Sequence, residues 1–179
     1  MTFVKSQPEI EKILEGRREV LGKDYPALWG HAYRMFNYCL ALSEKDPETE
    51  SKVAIAAAFH DIGIWTHDTF DYLEPSAQLA VDYLKSTGRA SWSDEVSAMV
   101  HFHHKVTPYR EPDGGLIEAF RKADLVDLSL GLVHFGLHRD DLRASKQIFP
   151  NAGFHWRVTQ FSLRWALRHP LNPLPMFKR

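Results

Sequence analysis

The stretch Phe59-His60-Asp61-Ile62-Gly63 closes an alanine-rich apolar segment that begins at Val53. The composition of residues 53–59 favours a helix, and a glycine such as Gly63 commonly ends one. His60 and Asp61 are therefore expected at a helix end. This position matters because consecutive side chains inside a helix diverge by about 100°, whereas near an end both can turn towards one ion. The pair is thus a candidate metal-binding element.

A His-Asp pair alone is a weak signal, because ten histidines in 179 residues produce such a dipeptide by chance. His67-Asp68 is a second copy, and it lies in a polar segment that predicts loop surface. The first pair is distinguished by two further residues of metal-binding type, His31 upstream and Asp124 downstream. Together the four side chains provide two imidazoles and two carboxylates, a set that binds a divalent ion and leaves positions open for water and substrate.

Apolar residues recur mostly at helical spacing, and no run shows a convincing strand alternation, so we expect an all-α fold. The length of 179 residues and the hydrophobic content of 44% are enough for one compact domain over residues 1–179. We expect a bundle of about seven or eight helices, with helices at 140–169 packed on a motif core of about residues 25–130. The predicted helical segments are 8–21, a helix carrying 31–42, one ending at 60–61, 74–84, 93–104, 116–132, 140–148 and 155–168.

Taken in order, these motifs resemble the HD superfamily of metal-dependent phosphohydrolases, whose signature is a His, a His-Asp pair and a distant Asp on separate helices. The matching stretches are Trp29–Met35, Ala58–Gly63 and Lys122–Asp127. The resemblance implies that the metal ligands are His31, His60, Asp61 and Asp124. It also implies that Asp61 orients the attacking water. Asp127, one turn after Asp124, is expected to be a supporting or capping group.

A further stretch is similar to the additional ligands that some branches of the superfamily use for a second metal. Glu74 stands before Pro75 where those branches have a histidine, and His103-His104 corresponds to their later histidine pair. His101 is a weaker candidate, since three residues so spaced cannot all face one point on a regular helix. The carboxylate favours harder ions than an imidazole does. The resemblance implies one or two divalent ions, with the number left open, from among Mn, Mg, Fe, Co, Ni and Zn.

The resemblance implies a hydrolase that acts on a small phosphorylated metabolite or nucleotide through a metal-activated water. Arg34 lies one turn after His31, and we expect its guanidinium to clamp phosphate oxygens, with a structural ion pair as the alternative. Two other functions stay open. One is an HD-type nonheme di-iron oxygenase, and the other is a noncatalytic module that binds a metal or a nucleotide.

The amino-acid composition argues against some classes of binding partner and cellular location. A formal net charge of −1 argues against nonspecific nucleic-acid binding through a basic surface. Residues 1–6 lack the apolar core of a signal peptide, and no apolar run is long enough to span a bilayer. The single cysteine, Cys39, lies among apolar helical residues, which fits core packing in a reducing compartment. We therefore expect a cytoplasmic protein without membrane association, whose partner is a small phosphorylated substrate.

A C-terminal series of aromatic residues alternates with arginines along a predicted helix. We expect these aromatic side chains to pack on the core, with a solvated basic face opposite them. A homodimer interface is the functional alternative for this surface. The residues concerned are Phe154, Trp156, Phe161 and Trp165.

Overall fold

The computed structural model describes residues 1–44 and 46–178, and over these residues the chain is all-α, which confirms the predicted fold class. Eight helices of eight residues or more and two single α-helical turns lie within the described ranges. None of the helices described there is long and apolar enough to cross a membrane. In chain order the α-helices are α1 (Pro8–Glu15), α2 (Arg18–Leu21), α3 (Tyr25–Leu42), α4 (Thr49–Phe59), α5 (Gly63–Thr66), α6 (Leu73–Ser86), α7 (Ser93–Phe102), α8 (Gly115–Leu128), α9 (Arg139–Ile148) and α10 (Phe154–Arg168).

Helix α3 is the centre of the fold and packs against α8, α4 and α1. It is apolar on almost all sides, as expected for a helix that is enclosed by others. Three polar residues are nevertheless buried on it at intervals of three, namely His31, Arg34 and Asn37. Buried polar groups need partners. Asn37 finds them in the main chain of Val4, at 2.8 and 3.1 Å, whereas the other two residues face the site described below.

Helix α4 is buried from Val53 to Phe59 and ends at Phe59, directly before the His-Asp pair. Gly63 does not end this helix in a left-handed conformation, as the sequence suggested, but begins α5. Gly63 instead allows two segments of the chain to pack closely against each other. A Cβ atom at this position would lie 2.8 Å from both Ser76 Oγ and the Tyr72 carbonyl oxygen. The absence of a side chain therefore lets the turn after Asp61 pack against the start of α6.

Two helices end at least four residues earlier than the sequence predicts. The first stops at Glu15, with a break at Gly16 before the short turn α2. Helix α8 ends at Leu128 rather than at residue 132. Leu130 has φ of 56° and Gly131 has φ of 82°, and the Gly131 amide donates to the Val126 carbonyl at 2.8 Å. This hydrogen bond closes a six-residue turn of the Schellman type. It gives a partner to a carbonyl at the helix end and directs the chain out of the helix.

The C-terminal aromatic residues divide between interior and surface. Phe154 is buried, and its ring stacks on the His31 ring with centroids 3.9 Å apart. Phe161 and Trp165 pack against a second apolar cluster. Trp156 is 66% exposed, so the expectation of core packing is wrong for this residue, which lies on the outer side of α10. Cys39 is buried, as predicted, and burial raises the pKa of its thiol.

Candidate metal centre

The fold brings together the four residues of the first predicted site. His31 comes from α3, His60 and Asp61 follow the end of α4, and Asp124 comes from α8. Their exposed fractions lie between 0% and 4%. His31 Nε2 lies 2.9 Å from His60 Nε2 and 3.6 Å from Asp61 Oδ2 and Asp124 Oδ1. Residues separated by up to 93 positions therefore present their polar atoms to one enclosed space.

The buried imidazoles are oriented by hydrogen bonds at Nδ1. The acceptors are Asp127 Oδ2 for His31 (2.7 Å), the Ala57 carbonyl for His60 (2.9 Å) and the Val100 carbonyl for His103 (2.6 Å). Because each acceptor is an oxygen without a hydrogen, Nδ1 carries the proton and Nε2 presents a lone pair. An anchored Nδ1 and a free Nε2 are the usual state of a histidine that binds a metal.

The enclosed space is short of positive charge. His31 Nε2 and His60 Nε2 are only 2.9 Å apart, a contact that needs either a proton or a metal ion between the two nitrogens. Among the described residues, three further buried atoms at this place have no hydrogen-bond partner: Asp61 Oδ1, His103 Nε2 and Asp124 Oδ1. Unpaired buried polar atoms are unfavourable, and a cation would satisfy all of them together. Imidazole nitrogens with carboxylate oxygens and no thiolate suit a divalent metal of the predicted kind, so the residues fit such an ion.

Two overlapping clusters can hold an ion. The first consists of His31, His60 and Asp61, and the second of Asp61, His103 and His104. In each cluster the candidate ligand atoms lie within 4.8 Å of one another. Asp61 belongs to both, so the arrangement suits a single ion or a pair of ions that share this carboxylate.

Comparison with known proteins agrees with this geometry. The family model described as HD domain matches residues 28–129, which is more than half of the chain. The chain belongs to the HD domain family. The matched region contains the whole of the first cluster and Asp124, so the family assignment confirms the resemblance seen in the sequence. No curated protein and no solved structure matches this HD domain significantly.

The charges and the burial around the HD domain's candidate ligands keep Asp61, Asp124 and His103 in the protonation states that bind a metal ion. Burial opposes ionisation of Asp61, but His60 and His103 hold the pKa of its carboxyl well below the ordinary value. Burial likewise opposes ionisation of Asp124, and His104 lowers its pKa. Burial lowers the pKa of His103 to about 4, with His104 adding to the effect. Near pH 7 the two carboxylates are therefore charged and His103 is neutral.

The pKa of His60 is shifted in the opposite direction to that of His103. Burial disfavours its imidazolium form, yet the carboxylates of Asp61 and Asp124 outweigh burial and raise its pKa. A raised pKa at a fully buried imidazole means that the surroundings attract a positive charge. A proton and a metal ion compete for the same lone pair. The HD domain's own charges thus favour a cation at this position.

Arg34 does not face the enclosed space as a free cation, which corrects the expected phosphate clamp and agrees with the alternative, a structural ion pair. It is 1% exposed. Its Nε and Nη2 donate to Asp127 at 2.6 and 2.7 Å, and its Nη1 donates to the Phe149 and Pro150 carbonyls at 2.9 and 3.1 Å. All three nitrogens are used inside the protein. Arg34 instead positions Asp127, which in turn holds His31 and whose pKa is lowered, despite burial, by both partners.

Glu74 belongs to neither cluster of the HD domain, which corrects its expected grouping with His103 and His104. It lies in the first turn of α6 on the solvent side, and its side chain is 67% exposed. Its carboxylate contacts His101 Nε2 at 2.8 Å. The weaker histidine candidate is therefore the one that pairs with this carboxylate.

Tyr72 is a site residue that the sequence did not reveal. Its hydroxyl lies 2.7 Å from His104 Nε2, while His104 Nδ1 lies 3.2 Å from Asp124 Oδ2. Burial raises the pKa of Tyr72 well above its ordinary value, and Asp61 and Asp124 raise it further, so the phenol stays protonated. Both nitrogens of His104 thus have protein neighbours. An isolated tyrosine ahead of Leu73 carries no motif that marks this role.

Proposed function

We propose that this HD domain is a metal-dependent phosphohydrolase that acts on a small phosphorylated metabolite or nucleotide. The observation that carries the proposal is the set of buried ligand atoms that lack a hydrogen-bond partner among the described residues, on Asp61, His103 and Asp124, beside the facing Nε2 atoms of His31 and His60. A structural core rarely leaves so many buried polar atoms unpaired. HD-domain proteins are generally metal-dependent hydrolases, which supports this reaction type.

A divalent ion bound here lowers the pKa of a water and withdraws charge from a phosphoryl oxygen. The protein's contribution is to hold the donors in place. Asp127 fixes the His31 ring through Nδ1, so that Nε2 points to the site. Asp61 stays ionised, and we assign it the orientation of the attacking water. The Tyr72 hydroxyl orients His104, whose other nitrogen faces Asp124.

The membership of Asp61 in both clusters favours a second candidate, a di-iron oxygenase, in which His31, His60, Asp61, His103 and His104 would hold two irons that would supply oxygen chemistry. That reading requires two irons per chain and turnover that depends on oxygen. A noncatalytic metal or nucleotide module is the third candidate. A single domain over residues 1–179, a cytoplasmic location and a homodimer stay predictions from the sequence.

The test compares metal content and turnover in three proteins: the wild type, Asp61→Ala and Asp71→Ala. Asp71 is an exposed carboxylate in the loop before α6 and serves as the matched control. We expect one or two equivalents of a divalent metal and hydrolysis of at least one phosphate ester in the wild type and in the control. Asp61→Ala should lose both properties while its circular dichroism spectrum stays helical.

Full metal content in Asp61→Ala would refute the assignment of this residue. Two irons with oxygen uptake would replace the hydrolase by the oxygenase. Bound metal without turnover over a broad panel of phosphate esters would leave the noncatalytic module. Wild-type protein that takes up no metal even after reconstitution would remove the basis of the proposal.

A further inference from the structure

A cavity apart from the metal clusters lies between α10 and the segment that joins α5 to α6. Its volume is about 150 Å³. Ile64, Phe70 and Trp165 contribute apolar surface to it, and Arg164 and Arg168 contribute charge. An ordered water needs about 10–15 Å³ of accessible space, so the cavity has room for a group larger than water.

The two arginines lie one turn apart on α10, are exposed to solvent, and have no partner within the part of the chain that the structure describes. Among residues 1–44 and 46–178, neither guanidinium forms a hydrogen bond or an ion pair. Like charges at this spacing repel each other, and a bound anion would remove the repulsion. Asp68 is the only acidic residue of the lining. Six other arginines of the described chain each contact a carboxylate, whereas Arg17, Arg110 and Arg139 resemble Arg164 and Arg168 in having no such ion pair among the described residues; the six are Arg18, Arg34, Arg89, Arg121, Arg143 and Arg157.

A layer of aromatic side chains connects this cavity with the metal centre. The Phe70 ring lines the cavity and lies 5.8 Å from the Tyr72 ring. The Tyr72 hydroxyl lies 2.7 Å from His104 Nε2 on the side of the metal clusters. Ile64, also in the lining, follows Asp61 by one turn. The cavity is thus a neighbour of the metal centre and not part of it.

We propose that this cavity binds a phosphate group through Arg164 and Arg168. Guanidinium groups match phosphate oxygens in a two-pronged geometry, and two of them one turn apart can grip a single phosphate. Free phosphate and a second phosphate carried by the substrate present the same chemistry. The binding of a phosphate group does not depend on the proposed function. Only the idea that this phosphate is part of the substrate rests on it.

The experiment titrates inorganic phosphate into the full chain by isothermal titration calorimetry. The test variant carries Arg164→Gln and Arg168→Gln together. The control carries Arg17→Gln and Lys23→Gln, which remove two charges around α2, away from α10 and its cavity. We expect the test variant to lose one phosphate-binding event, or to weaken it by at least about tenfold, and the control to behave like the wild type.

Identical titrations for the wild type and the test variant would overturn the proposal, and so would an equal loss in the control. The metal content of all three proteins is measured in parallel and should not differ among them, since the candidate ligands of both clusters are histidines and Asp61. A failure of the hydrolase proposal would appear in the metal content or turnover of the wild type and Asp61→Ala and not in the phosphate titration, so the two outcomes can be told apart.

Kinetics then identify the source of the phosphate. If the cavity holds a second phosphate of the substrate, the test variant raises KM for a nucleoside diphosphate and leaves KM for the monophosphate unchanged. If it holds free phosphate, both KM values stay the same and only the calorimetric signal is lost. Either result supports a phosphate site in this cavity.

Discussion

Asp127→Asn removes a negative charge from the support of the metal centre while keeping the shape of the side chain. The wild-type carboxylate accepts from His31 Nδ1 at 2.7 Å and from two nitrogens of Arg34 at 2.6 and 2.7 Å. An asparagine offers one oxygen in place of two, and its amide group then faces another donor. The buried guanidinium loses its counter-charge.

Loss of one partner from a buried ion pair destabilises a protein by about 3–5 kcal/mol. With an m-value of about 2 kcal/mol/M, this lowers the urea midpoint by about 1.5–2.5 M. The same change frees the His31 ring, and loss of such an orienting carboxylate weakens metal binding by about 10–100-fold. Asp127→Asn should therefore reduce the free energy of unfolding and the metal affinity together.

The assay is urea unfolding of the metal-free protein, followed by metal titration in the absence of urea. Asp140→Asn is the control, because Asp140 pairs with Arg143 at 2.9 Å on the surface, where the two side chains are 77% and 75% exposed. An exposed pair contributes about 1 kcal/mol or less. If Asp127→Asn were no more harmful than this control, or if its metal affinity were unchanged, the reasoning would be refuted.

The stabilising effect of Asp127 also depends on pH. Burial opposes its ionisation, but Arg34 and His31 lower its folded-state pKa below the ordinary value of 3.8. A lowered pKa means that the stabilisation is complete above pH 3.8 and is lost as the pH falls through the folded-state pKa. The difference in unfolding free energy between the wild type and Asp127→Asn should thus be constant from pH 5 to 8 and narrow on acidification below it.

Gly30→Ala should destabilise the fold by about 1–3 kcal/mol in urea unfolding, because its Cβ would lie 2.2 Å from the Pro150 carbonyl oxygen. Gly115→Ala is the control and should not destabilise it, since a Cβ at this position would meet no neighbouring atom within 4 Å. Burial lowers the pKa of His103 to about 4 in the folded protein, so as the pH is lowered this imidazole gains its proton in the unfolded chain before it does so in the folded chain. The unfolding free energy of the metal-free protein should therefore decrease as the pH is lowered from about 6.5 to about 4, and His103→Gln should flatten that slope. Glu74→Gln should leave the metal stoichiometry unchanged in elemental analysis, and a lost equivalent would return Glu74 to the ligand set.

The helices were largely predictable because their signals are local. The apolar run from Val53 to Phe59 and the spacing of buried residues along α3 gave both the helix type and its approximate position. The end of α8 was not predictable, since it depends on Leu130 adopting a positive φ that leucine rarely takes. The break at Gly16 divides a segment whose spacing looked continuous. Boundaries of this kind are decided by individual turns and not by periodicity.

The site was predictable only where a motif marked it. His31, His60, Asp61 and Asp124 were found through their order along the chain, and the structure brings them together. The destination of Arg34 was hidden because two of its acceptors are carbonyls more than 110 residues away, and main-chain oxygens leave no trace in a sequence. Tyr72 was hidden for a similar reason, since its partner is a histidine 32 residues away.

The long reach of Arg34 has a consequence for a chain that is still being synthesised. Its last acceptors, Phe149 and Pro150, follow it by 115 and 116 residues. At about 5–20 residues per second, a ribosome delivers them about 6–23 s after Arg34 itself. Until then Asp127 can pair with two of the guanidinium nitrogens, but Nη1 lacks its carbonyl partners. Enclosing α3 before that point would leave a buried donor unsatisfied, so we expect full burial of this helix to follow synthesis of the segment around residue 150.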